Sequence, residues 1–64
     1  MSNELKKHEQ DFYNELVDAT SAIALLAWSA RSQEGFEDIE KSLFDVLEDL
    51  INAEKAILKK ASEN

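Results

Sequence analysis

At 64 residues, with no cysteine and a net charge of −7, the chain is at most one small domain without a disulfide framework or a thiolate metal site. A chain this short buries only about 60% of its unfolded surface, and oligomerisation is the remaining aid to stability. The negative charge repels phosphate backbones and argues against nucleic acid as a ligand, whereas 44% apolar content is too high for a disordered tail.

The N-terminal stretch MSNELKKHEQ has no apolar run behind its lysines, so no secretory signal is expected. No later stretch approaches the roughly 20 apolar residues of a membrane span. The expectation is a soluble, cytoplasmic protein with no membrane contact, and the lack of cysteine is compatible with a reducing cytosol.

A first helix is expected over about 3–32. Ser2 or Asn3 can cap it, with Glu4 near its positive end. Leu5, Phe12, Leu16, Ala19, Ile23, Leu26 and Ala30 then recur in heptad steps, with the polar Glu9 skipped. Arg31 suits the negative end. Within this helix, Ala19 to Ala30 carries no charge, and its apolar and small residues run all the way round. Such a helix must be covered on more than one side.

No proline and a single glycine leave one break, near Gly35. Ser32 to Gly35 connects the helices, the turn itself falling at about 33–35. Gly35 supplies the left-handed conformation that ends a helix. A second helix is expected over about 36–61, opened by Glu37 and Asp38. Its heptad seam is Phe36, Ile39, Leu43, Val46, Leu50, Ala53 and Ile57, and Lys55, Lys59 and Lys60 match the dipole of the last turns. Ala61 to Asn64 are expected to fray.

The predicted fold is all-α: an antiparallel two-helix hairpin whose seams face each other, dimerising into a four-helix bundle. The rival is one long helix pairing with another chain. The dimer is expected because each helix bears a second apolar stripe. Val17, Ala24, Leu25 and Trp28 lie on the first helix, and Phe44, Leu47, Ile51 and Leu58 on the second. A lone hairpin would expose these as one patch. The stripe reads as a dimer interface, or alternatively as a groove for another protein's helix.

Chemistry is thinly represented. Glu4, His8, Asp11 and Glu15 share a helix face, but the bundle di-iron pattern needs Glu-x-x-His, and Leu5 stands three before the lone histidine. No nucleophile triad and no phosphate loop occur. No enzyme, cofactor or metal is expected. Five of the seven basic residues (Lys6, Lys7, Lys55, Lys59 and Lys60) gather at the chain ends, while Glu34, Glu37, Asp38 and Glu40 crowd the turn. Glu37, Asp38, Asp45, Glu48 and Asp49 form a candidate acidic docking face.

In length, turn position and heptads the architecture resembles the ROP type of hairpin dimer, which binds paired RNA through basic and polar side chains of its first helix. Here that helix offers Lys6, Lys7 and Asn14 and then a long uncharged run, so the resemblance does not extend to RNA. Ser32-Gln33-Glu34 is similar to the short signature of small hairpin aspartyl phosphatases of sporulation phosphorelays. That signature continues Leu-Asp within a helix, whereas this chain has Gly35-Phe36 at its turn. The functional expectation is a small acidic homodimer acting as an interaction or regulatory module on another protein. The alternative is an acidic nucleic-acid mimic that blocks a basic nucleic-acid-binding protein.

Overall fold

The computed structural model describes residues 5–63 and contains two helices, α1 (Lys7–Arg31) and α2 (Glu37–Glu63), folded back on each other as a hairpin. The caps expected at Ser2 or Asn3 lie outside the described residues. Leu5, expected as the first seam position, belongs to the non-helical approach to α1. Lys6 is extended, with φ −67° and ψ 161°. Its backbone N–H donates to Glu9 Oε1 at 2.9 Å. Lys6 has no acceptor side chain to return the bond, so this is half of a capping box.

The connection is tightly bonded. Ser32 donates its N–H to Ser29 O at 3.2 Å and its hydroxyl to the same oxygen at 2.7 Å. Gln33 N–H donates to Ala30 O at 3.0 Å, which narrows the last turn of α1. Phe36 N–H donates to Gln33 O at 3.3 Å, closing a β-turn with Gly35 third, and φ there is +85°. A positive φ at that position is what a type II turn requires. Phe36 O then accepts the N–H of Glu40 at 2.8 Å and starts α2. The acidic Glu37, Asp38 and Glu40 sit in the first turn of α2 and Lys60 in its last, as dipole compensation favours.

The helix–helix seam differs from the expected one. On α1 it runs through half-buried Tyr13, Leu16, Thr20 and Ile23 to buried Ala27 and Ala30. On α2 it runs through half-buried Glu40, Leu43, Leu47, Leu50, Glu54 and Ile57 to buried Ala61. The expected seam members Phe12, Ala19, Leu26, Phe36, Ile39, Val46 and Ala53 are exposed instead. The reason is a degeneracy in the pattern. Leu16, Ile23, Leu43 and Leu50 anchor the seam either way. Each has an apolar or small residue three places on and another candidate four places on. The four-on choice takes the smaller residue on α1, Ala27 in place of Leu26, and the larger on α2, Leu47 in place of Val46. A small side chain is thereby matched with a large one across the seam.

The outcome is a thin slab of 52 × 17 × 11 Å between Cα atoms, with a radius of gyration of 14.8 Å. A compact chain of this length would have about 10.7 Å. The only buried side chains among the described residues are Ala27, Ala30 and Ala61. One methyl group each, at about 0.8 kcal/mol per buried carbon, is a slender core. No helix of the described residues is long and apolar enough to cross a membrane.

Candidate functional site

A helical residue turns about 100° from its neighbour, so the slab presents four sides beyond the seam itself: two broad faces and two outer edges. On one broad face stand Val17, Ala24 and Trp28 from α1 with Phe44, Ile51 and Leu58 from α2. Arg31 fixes this alignment. Its guanidinium lies 5.3 Å from the Trp28 ring centroid and 5.9 Å from that of Phe44, within cation–π range of both. The same group donates from Nε to Glu40 Oε2 at 2.8 Å. One arginine therefore ties the two aromatic rings and both helices together near the turn.

The face is open to solvent. Trp28 is 66% exposed, Leu58 48%, Phe44 40% and Ile51 37%. A shallow depression along its α2 side is lined by Phe44, Leu47 and Ile51 together with the polar Asp45, Glu48, Asn52 and Lys55. Of the stripe expected from sequence, six members share this face. Leu47 is drawn into the seam and is half-buried. Leu25, 70% exposed, points outward from the edge of α1, away from α2.

The opposite broad face was hidden in the sequence because its residues read as the seam. Phe12, Ala19 and Leu26 of α1 stand beside Ile39, Val46 and Ala53 of α2, and all are exposed. Phe12 reaches 58%, Leu26 54%, Ile39 48% and Val46 44%. Both broad faces of the slab are thus apolar. These are called here the Trp28 face and the Val46 face.

Polar groups in the seam pull the helices into register. Thr20 sets its hydroxyl between Leu16 O, at 2.8 Å, and the Glu54 carboxylate, so one proton serves two acceptors. Residues 20 and 54 would not be level if positions summed to 68, as a turn centred on residue 34 implies. Side chains lean toward their own helix N-terminus. That lean is away from the turn on α1 and toward it on α2, so a contact made through side chains pairs α1 with positions further along α2.

Glu37, Asp38, Asp45, Glu48 and Asp49 are all exposed along the outer side of α2. Lys41 and Asn52 share that edge by helical spacing, so the acidic row is interrupted. Near the start of α1, Lys7 Nζ lies 3.5 Å from Asp11 Oδ2, an exposed pair of little energetic weight. Of the sequence's possible ligand cluster, Glu4 lies outside the described residues. Among those described, no three acidic, histidine or cysteine side chains gather around a point.

Comparison of the chain with protein-family models, with curated proteins and with solved structures finds no match. Sequence reasoning placed Arg31 only at the end of the first helix and missed its contacts with Trp28, Phe44 and Glu40, and it missed Thr20, Glu54 and the Val46 face. For Arg31 a signal existed, since Trp28 and Arg31 are three apart and neighbours on a helix surface.

Proposed function

We propose that the protein is a small acidic homodimeric interaction module that acts by occupying a partner protein's surface and performs no catalysis. The observation that carries this reading is the exposure of ten large apolar side chains among the described residues, Trp28, Leu25, Phe12 and Leu26 foremost. Monomers rarely leave large contiguous apolar patches uncovered, and here large apolar side chains stand exposed on both broad faces. The Trp28 face, with an aromatic pair, a cation and flanking charge, has the make-up of an interface hot spot. Cytoplasmic residence goes with this proposal.

Sedimentation across a range of protein concentrations, at low and at physiological salt, tests it. A dimer that persists on dilution is the expected result. A folded monomer at every concentration would sink the homodimer.

The exposed acidic row on α2 favours a second reading, mimicry of a nucleic-acid backbone. It predicts that the protein displaces duplex DNA from a basic DNA-binding protein, and that displacement weakens steeply with salt. Docking through apolar surface predicts little dependence on salt.

A further inference from the structure

We infer that the second copy of the chain sits on the Val46 face, so that the pair closes into a four-helix bundle and leaves the Trp28 face open on its outside. This rests on the homodimer reading above and specifies which side of the slab the dimer uses.

The phase of the heptads carries the argument. When two hairpin slabs stack face to face, each helix has two neighbours at right angles: its partner in the hairpin and one helix across. The positions that fill the bundle core bisect those directions, roughly 45° from the hairpin seam. The uninterrupted apolar heptads run from Phe12 to Ala30 and from Phe36 to Ile57. By helical geometry both are rotated from the observed seam by about that angle. Both rotate toward the same broad face, the one bearing Leu26 and Val46. A two-helix hairpin alone has no use for such a rotation, whereas a stacked pair requires it.

The other face fails the same requirement. The equivalent heptads turned toward the Trp28 face include Thr20 and Arg31 on α1 and Glu40 and Glu54 on α2. These four already engage one another within the hairpin, Arg31 with Glu40 and Thr20 with Glu54. A bundle core built there would desolvate two carboxylates and a guanidinium. The Val46 face places no charged side chain in its core heptads.

Area agrees with one covered face. The chain exposes 5156 Å², whereas a folded monomer of 7.3 kDa is expected to keep about 4,200 Å². The excess of about 1,000 Å² is close to the 800 Å² or so that each partner contributes to a specific interface. Covering one broad face with a second copy would remove an area of that order.

The test combines solution mass with the environment of Trp28, the chain's single tryptophan. Sedimentation and acrylamide quenching are followed together on the wild-type protein across dilution. A dimer whose Trp28 emits at long wavelength and stays open to quencher is the expected result. A dimer or larger particle with Trp28 shielded overturns the assignment of faces while leaving self-association intact. A folded monomer overturns the homodimer itself, and the face assignment with it. Two charge-bearing variants give an independent comparison, because both positions are more than half exposed in the single hairpin. Leu26→Glu should weaken dimerisation by about a hundredfold or more, and Trp28→Glu should leave it within about threefold. The reverse order would overturn the assignment, even if one variant lost helicity on dissociating.

Discussion

Thr20 on α1 and Glu54 on α2, 34 residues apart in sequence, meet as hydroxyl and carboxylate inside the seam between the helices. They are the one side-chain hydrogen bond between the middles of the two helices among the described residues, far from the turn. Both residues are half-buried. A half-buried carboxylate that loses its donor keeps part of its desolvation cost without the compensating bond. Thr20→Val should therefore destabilise the hairpin by about 1–2 kcal/mol. Adding Glu54→Leu should recover most of that loss, since a well-packed apolar pair is commonly no worse than a polar one. Urea unfolding followed by circular dichroism measures both steps, and failure of the second change to recover stability would place Glu54 outside the seam.

The alanine contact makes a second prediction. Ala27 is 1% exposed and lies in the seam between the helices. Ala27→Leu adds a side chain with no space to enter, and overpacking of this kind costs about 1–3 kcal/mol. Ala24→Leu, on the exposed Trp28 face, should change stability by no more than about 0.5 kcal/mol. Thermal unfolding of the two variants side by side separates the observed seam from the one the heptads suggest, on which neither alanine has a place.

How much of this was legible in the sequence depends on the residue. The two helices, the position of the turn and a positive φ at Gly35 follow from one glycine and two long apolar periodicities. Gly35 does not end the first helix as expected, however: α1 stops at Arg31 with Ser32 as its right-handed cap, and Gly35 serves the β-turn that follows. The anchors Leu16, Ile23, Leu43 and Leu50 follow too. Which neighbours join them does not, because i+3 and i+4 lie on opposite sides of the same anchor. Local pattern cannot choose between Leu26 and Ala27, or between Val46 and Leu47. That choice depends on how residues of the two helices fit against each other, small Ala27 on one and large Leu47 on the other, a tertiary quantity. Aromatic Trp28 and Phe44 were readable as a second stripe, but the Val46 face was masked by the very regularity that made it look like the seam.

At the turn, Gly35 adopts φ +85° and nothing lies within 4 Å of where its Cβ would be. A side chain there meets no steric obstacle from its surroundings, so any cost is conformational. Gly35→Val should destabilise by about 1–2 kcal/mol, and Gly35→Asn by clearly less, because asparagine tolerates the left-handed region. Thermal melts of the two variants check the order. Equal tolerance of valine and asparagine would mean that the turn readily adopts a different backbone.

Arg31 gathers three interactions on one exposed guanidinium: the ion pair with Glu40 and the faces of Trp28 and Phe44. The pair with Glu40 is worth about 1 kcal/mol or less, because Arg31 is largely solvated. The ring contacts add about 0.5–1 kcal/mol at an exposed site. Arg31→Met should thus cost about 1–2 kcal/mol in total, and the two parts separate with salt. Added salt screens the Glu40 contribution more than the close contact with the rings. Arg31→Lys should recover only part of the loss, since an ammonium can pair with Glu40 but has no delocalised planar guanidinium to reach both rings at once. Urea unfolding of the three proteins at low and high salt measures this. Full recovery by lysine would show that charge alone holds the turn end of the Trp28 face, and that the aromatic pair is not organised by Arg31.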